Sequence, residues 1–215
     1  MAALPFRGAF GTWSDAWFHL LLHQLSFGLL GLLLIALAII DWRWMRLPDA
    51  LTLPGVAIGY LLVCTDAMFL REDEYTLVLQ RTVNLNAAGS GHSTGNVFLT
   101  GPEHLVFGRL ASIFACFLLL YIVRALYRAV RRRDGMGLGD AKLLAMIAAF
   151  LGFAPALLSL FAGTLLATLY AVVSLARGRA TAASRLPFGS FLAAGGLLTL
   201  CVGAPLLDWY LGLFR

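Results

Sequence analysis

Six long apolar runs constrain this chain more than any other feature of its sequence. A bilayer has a hydrocarbon core of about 30 Å, which a helix of roughly 20 apolar residues can cross. The chain has 215 residues, of which 60% are hydrophobic and 13% charged. These values predict an all-α integral membrane protein with about six transmembrane helices. The predicted spans cover residues 20–41, 51–70, 106–128, 140–157, 158–176 and 188–213, with the fourth and fifth separated by a turn around Pro155.

The cysteines and histidines give no sign of a metal or cofactor site. Cys64, Cys116 and Cys201 lie far apart within apolar runs, and no CxxC pair is present. This spacing argues against a zinc ribbon and against a disulfide framework. His19 and His23 are one helical turn apart, but no third ligand is evident. We therefore predict neither a metal nor a cofactor.

The basic residues predict the orientation of the chain in the membrane. They are concentrated in the loops that follow the first, third and fifth spans, and such loops stay in the cytoplasm. The N-terminus is then outside, and the polar stretch at about 71–105 is an extracytoplasmic insert. The formal charge of +5 reflects this topology and contact with anionic lipid head groups, so no nucleic-acid partner is predicted. The basic residues of the three loops are Arg43, Arg46, Arg128, Arg131, Arg132, Arg133, Arg177, Arg179 and Arg185.

A cleaved signal peptide over residues 1–38 is a competing interpretation of the N-terminal region. An early arginine, an apolar run and a small-residue segment imitate one. Cleavage there would leave Arg43 and Arg46 outside, and the apolar run is long for a signal core. We therefore favour an uncleaved first span.

Two aspartates are predicted to lie at the same depth. Asp41 ends the first span and Asp140 begins the fourth, both at the cytoplasmic boundary. Two carboxyl groups in a partly dehydrated site cannot both ionise at low cost, so one stays protonated and the other carries the charge. Such a pair suits hydrolysis of a peptide bond by water, with one base and one acid. The alternatives are a helix-capping role for Asp140 and a solvated helix end for Asp41.

Three alternating glycines lead directly into Asp140 in the stretch "GMGLGDAKLLAMIAAFLG". Gly135, Gly137 and Gly139 lack a Cβ atom, so the backbone can bend freely and approach another strand closely. We predict that they let an extended peptide lie beside Asp140 as substrate-binding residues. The alternative is a flexible loop that ends in a capping aspartate.

Three segments resemble those of a known family. "GMGLGDAKLLAMIAAFLG" resembles the second catalytic motif of the type IV prepilin peptidases, the bacterial members of the GxGD aspartyl membrane proteases. "DWRWMRLPDALTLP", residues 41–54, resembles their first motif. "RLPFGSFLAAGG", residues 185–196, is similar to the PFG segment that opens their last span. The resemblance covers residues 25–213, and the polar loop matches poorly.

The resemblance assigns roles to individual positions. It implies that Asp41 and Asp140 are the catalytic aspartates, and that Gly137 and Gly139 belong to the GxGD signature. Lys142 occupies a lysine position of the family. A helix turns about 200° over two residues, so we expect no pairing of Lys142 with Asp140 and a structural or lipid-facing role instead. Asp49, in the LPD segment, is expected to cap a helix.

The resemblance also implies a function and a location. The family removes the short basic leader of type IV prepilins or pseudopilins, at the cytoplasmic face of the bacterial inner membrane. We therefore expect residues 1–215 to form a single multi-pass peptidase domain, with prepilin substrates and membrane lipids as partners. No CxxC exists and about twenty residues precede the first span, so no N-terminal methyltransferase region is expected.

Other functions stay open at this point. They are a protease similar to signal peptide peptidase, a non-catalytic assembly factor of a pilus or secretion machine, and an ion-conducting membrane subunit. Intramembrane carboxylates also mark ion paths, although these lie near mid-span rather than at span ends. The sequence does not indicate an oligomeric state.

Overall fold

The computed structural model describes residues 12–45, 47–69, 102–131, 137–178 and 187–212. Within these ranges the chain forms six α-helices, which confirms the predicted all-α class. They are α1 (Thr12–Trp44), α2 (Asp49–Phe69), α3 (Pro102–Arg131), α4 (Leu138–Leu151), α5 (Phe153–Ala176) and α6 (Phe188–Gly212). Most of the insert predicted at 71–105 lies outside the described residues, and its last four residues already belong to α3.

Three of these helices are long and apolar enough to cross a membrane. In the described part of the chain they are Leu21–Trp44 of α1, Val106–Val130 of α3 and Phe153–Ala176 of α5. Their outer faces expose large apolar side chains, which suit contact with lipid better than contact with water. These exposed side chains include Leu32, Ile35, Phe114, Ile122, Phe161 and Leu169.

The fourth helix, α4, is short and buried. Its 14 residues span about 21 Å at 1.5 Å per residue, which is less than the thickness of a bilayer core. It contacts each of the other five helices. A helix that is apolar all round must be covered on every side, and α4 is covered by its neighbours. Its buried residues are Asp140, Ala141, Leu143, Leu144, Ala145, Met146, Ile147, Ala148, Ala149 and Phe150.

The boundary between the predicted fourth and fifth spans was wrong. The break falls at Gly152, whose φ of +95° ends α4, and such a backbone angle favours glycine. Pro155, where the turn was predicted, lies in the first turn of α5. Proline is tolerated there because the first N–H groups of a helix have no intrahelical partner.

The start of α6 lies beside the end of α1. Close packing of α6 against α5 helps to fix it, since a Cβ atom added to Gly195 would collide with the backbone of Ser159 and Gly163. The helix also packs along α1, where Leu192 joins the same buried core cluster as Leu37. The antiparallel packing of α1 and α6 therefore brings the last turn of α1 to the first turn of α6.

Candidate active site

Asp41 lies in the last turn of α1 and is 5% exposed. Its carboxylate oxygen Oδ2 accepts a hydrogen bond from the backbone N–H of Ser190, at 2.7 Å. Ser190 is in the first turn of α6, so its N–H is one of those that the helix itself cannot satisfy. Asp41 therefore caps a helix to which it does not belong, 149 residues farther along the chain.

Asp140 is held by its own helix. Gly137 is the N-cap residue of α4, which puts Asp140 at the third helical position. The Asp140 carboxyl group lies close to the backbone of Gly137, since a Cβ atom built on Gly137 would be 3.7 Å from Asp140 Oδ2. Asp140 therefore lies in the first turn of α4 and is not its N-cap residue. Its side chain is 7% exposed.

The structure brings these two carboxyl groups together. A Cβ atom built on Gly189 would lie 2.9 Å from Asp41 Oδ2 and 3.1 Å from Asp140 Oδ1. The two oxygens are therefore no farther apart than the sum of these distances, about 6 Å, so one water molecule can hydrogen-bond to both. Gly189 leaves this space open because it has no side chain.

Leu47 closes one side of the pair. A Cβ atom on Gly139 would lie 2.8 Å from Leu47 Cβ, and one on Gly189 would lie 2.8 Å from Leu47 Cδ1. Gly139 thus permits a packing contact inside the protein. Gly137 differs, because it is exposed and a Cβ atom there would meet Asp140 Oδ2 at an ordinary 3.7 Å. Gly135 lies outside the described residues.

An ion pair connects α4 to α2 beside the aspartates. Lys142 Nζ lies 2.7 Å from Asp49 Oδ1, and Asp49 is the first residue of α2. The sequence did not predict this pairing, because it joins residues 93 positions apart. The ion pair gives Lys142 a structural contact and links the start of α4 to the start of α2.

A groove opens next to Asp41, between α1 and α6. It has a volume of about 300 Å³ and is lined by Ala38, Ile39, Trp42, Arg43 and Ser190. Trp42 also meets the rings of Tyr170 and Phe191, with centroids 5.9 and 6.2 Å away. The groove is lined in part by Ser190, the residue whose N–H and hydroxyl group contact Asp41.

Sequence reasoning missed Gly189 and Ser190 as site residues. They follow the proline and phenylalanine of the "PFGS" segment, which was noted as a resemblance without a role. The position of this segment at the start of a helix was the available signal, since a helix start offers free N–H donors to a carboxylate. Among the described residues, no group of three His, Cys, Asp or Glu side chains is placed to hold a metal ion.

The fold and the site define a class of protein. It is helical and largely apolar, and two buried carboxyl groups lie at adjoining helix ends. The model of the type IV leader peptidase family matches residues 28–172. The match covers more than half of the chain and includes both aspartates. The chain belongs to the type IV leader peptidase family, which confirms the family that the sequence motifs indicated.

Curated relatives agree with this family. The chain is 33% identical over 174 residues to the prepilin leader peptidase/N-methyltransferase of Dichelobacter nodosus. These residues make up 80% of this chain and 47% of the relative. The corresponding protein of Burkholderia pseudomallei (strain 1026b) is 31% identical over 84% of this chain and 47% of the relative. The corresponding protein of Legionella pneumophila is 29% identical over 88% of this chain and 54% of the relative.

The chain spans about half the length of the curated relatives that it matches. No solved structure matches it. The family and the apolar helices together indicate a bacterial membrane protein.

Proposed function

We propose that this protein is an aspartyl endopeptidase that removes the short basic leader of type IV prepilins or pseudopilins at the cytoplasmic face of the bacterial inner membrane. The observation that carries the proposal is the approach of Asp41 and Asp140 to within about 6 Å, with both side chains buried. Two carboxyl groups at this separation can activate one water between them.

The reaction needs one ionised and one protonated aspartate. The ionised carboxylate takes a proton from the water while the water oxygen attacks the scissile carbonyl carbon. The protonated carboxyl group donates its proton to the carbonyl oxygen. The C–N bond then breaks as the departing nitrogen takes a proton from a carboxyl group. One hydroxyl group of the tetrahedral intermediate returns its proton to the pair as the carbonyl forms again in a carboxylic acid. One water is consumed, and the pair regains its single proton.

The position of the pair fits the junction between a polar leader and an apolar helix. Asp41, Asp140 and Ser190 all lie at one end of the helix bundle, where α1 ends and α4 and α6 begin. Arg43 and Arg177 lie at the same end, at the termini of α1 and α5. Since basic residues favour the cytoplasmic side, we assign this end to the cytoplasm.

We also propose that the glycine segment binds the substrate. Gly137 is exposed and lies next to Asp140, so an extended peptide can approach its backbone without meeting a side chain. Gly139 supports this segment through its contact with Leu47, and Gly135 extends it. The peptide would then pass close to the two carboxyl groups.

The test is leader removal by the purified full chain in lipid vesicles, with a recombinant prepilin as substrate. We expect Asp41→Asn and Asp140→Asn each to lower the cleavage rate by about a thousandfold or more, because each removes half of the acid–base pair. Asp49→Asn is the matched control, since this carboxylate is 60% exposed and paired with Lys142. It should cleave within about twofold of the unmodified chain.

Two results would overturn the proposal. One is a folded, unmodified chain that leaves every prepilin and pseudopilin leader intact. The other is normal cleavage by Asp41→Asn or Asp140→Asn. If the Asp140 variant cleaves normally but pili fail to assemble, the protein is an assembly factor; if Asp41→Asn abolishes a proton flux and not cleavage, it is an ion-conducting subunit.

A further inference from the structure

Ser190 makes two contacts with the same oxygen of Asp41. Its backbone N–H donates to Asp41 Oδ2 at 2.7 Å, and its hydroxyl group lies 3.2 Å from that oxygen. The hydroxyl group also lies 3.0 Å from the carbonyl oxygen of Ala38. Ser190 is 8% exposed, so these protein groups, rather than bulk water, determine how its hydroxyl group is oriented.

The position of the hydroxyl proton depends on the charge of Asp41. A serine hydroxyl has one hydrogen and two lone pairs, so it can donate to Asp41 or to Ala38 but not fully to both. When Asp41 is ionised, donation to Oδ2 gives this oxygen two hydrogen bonds from Ser190. When Asp41 is protonated, Ser190 can accept from Asp41 and donate to Ala38. The two states differ by one rotation of the hydroxyl group.

The two aspartates differ in the number of donors that face them. Asp41 faces two donors of Ser190 at hydrogen-bond distance, whereas Asp140 is near one backbone donor, the N–H of Gly137. Hydrogen bonds to a charged group are stronger than those between neutral groups. When two carboxyl groups share one proton, the charge is therefore better placed on the carboxyl group with more donors.

We propose that Ser190 is a positioning residue that holds the negative charge of the pair on Asp41, which makes Asp41 the base that activates water and Asp140 the acid. This assignment rests on the proposed function, because it divides that reaction between the two aspartates. Ser190 acts through Asp41. It also fixes the carboxylate rotamer, since both of its donors reach one oxygen.

The first test compares the kinetics of leader cleavage for three serine variants. Ser190→Ala removes the hydroxyl group and keeps the N–H, so we expect kcat to fall about tenfold with KM within about twofold. Ser190→Thr restores a hydroxyl group and should recover most of the rate. Ser159→Ala is the matched control, because Ser159 is fully buried and donates to Pro155 of its own helix. It should cleave like the unmodified chain.

The second test does not depend on cleavage. A membrane-permeant carbodiimide reacts with protonated buried carboxyl groups, and peptide mass spectrometry then locates the adduct. We expect the adduct mainly on Asp140 in the unmodified chain, and a larger share on Asp41 in Ser190→Ala. The share should return toward that of the unmodified chain in Ser190→Thr and stay unchanged in Ser159→Ala.

The outcomes separate the two proposals. If Ser190→Ala cleaves at the normal rate, or if Asp41 takes most of the adduct in the unmodified chain, the role of Ser190 is overturned while the proposed function stands. If the unmodified chain cuts no prepilin, the proposed function fails. The labelling pattern alone then decides whether Ser190 directs the charge to Asp41.

Discussion

Asp41 and Asp140 reach the same small volume by different routes. Asp140 is placed by its own helix, in whose first turn it lies, three positions after the N-cap residue Gly137. Asp41 is placed by tertiary packing, through a helix that begins almost 150 residues later. Both carboxyl groups thereby lie at the start of a helix, where N–H groups and the helix dipole favour negative charge.

The difference predicts which changes each aspartate tolerates. Asp140 stays in place as long as the first turn of α4 forms, whereas Asp41 needs α1 and α6 to stay in register. Gly189 is common to both, since a side chain there would touch an oxygen of each. Substitutions can therefore disturb both aspartates, disturb one of them, or disturb a neighbouring contact alone.

Among substitutions that keep both aspartates, the largest effect is expected from Gly189→Ala. The added methyl group would lie 2.9 Å from Asp41 Oδ2 and 3.1 Å from Asp140 Oδ1, where we expect the water to bind. Misplacing a catalytic group by about 1 Å can lower a rate a hundredfold, so leader cleavage should fall by at least about that factor. The measurement is initial cleavage rate at equal amounts of membrane-inserted protein.

Gly196→Ala is the control for this substitution. It lies on the same helix, and its added methyl group would meet the flexible ends of the Leu34 and Ile147 side chains at 3.0 and 3.1 Å. We expect it to retain most of the activity. Equal rates for Gly189→Ala and the unmodified chain would mean that the space between the carboxyl groups is not where the reaction occurs.

Substitutions of the glycines before Asp140 are expected to have an intermediate effect on cleavage. They separate the packing role of Gly139 from the substrate-binding role of Gly137. Gly139→Ala brings a methyl group to 2.8 Å from Leu47 Cβ, so it should lower thermal stability and cleavage together, by about tenfold in rate. Gly137→Ala makes an ordinary contact at 3.7 Å and should leave stability unchanged. If Gly137 binds substrate, its variant raises KM instead.

Stability and KM must therefore be measured for both glycine variants. Thermal unfolding in detergent measures stability, and cleavage at varied prepilin concentration measures KM. Loss of stability in Gly137→Ala, or an unchanged KM, would contradict the substrate-binding role of this segment. Normal stability in Gly139→Ala would show that Leu47 can move away at little cost.

Local features of this site were predictable from the sequence. The apolar runs predicted a helical membrane protein, and the glycines before an apolar run marked the start of α4, with Asp140 in its first turn. These predictions succeed because helix starts and helix periodicity depend on residues a few positions apart. The family resemblance added the roles of the aspartates, which stay proposals.

Tertiary features were not predictable in the same way. The hydrogen bonds from Ser190 to Asp41 and the contact of Leu47 with Gly139 join residues that are distant in the chain. No periodicity encodes such pairs. The end of α4 was misplaced because Pro155 is a familiar turn signal, whereas the first turn of α5 accommodates it and Gly152 makes the break.

The smallest effect on stability and cleavage is expected from removing the ion pair of Lys142 and Asp49, which lies near Asp140. Lys142 and Asp49 are 23% and 60% exposed, and pairs this accessible contribute less than about 1 kcal/mol. A double-mutant cycle of Lys142→Ala and Asp49→Asn, with unfolding followed in detergent mixtures, should give a coupling energy in that range. Cleavage should stay within about twofold, because neither side chain contacts the carboxyl pair in the described structure. A tenfold loss of cleavage in Lys142→Ala, with Asp49→Asn unaffected, would show that the lysine acts on Asp140 or on substrate rather than as a tie to α2.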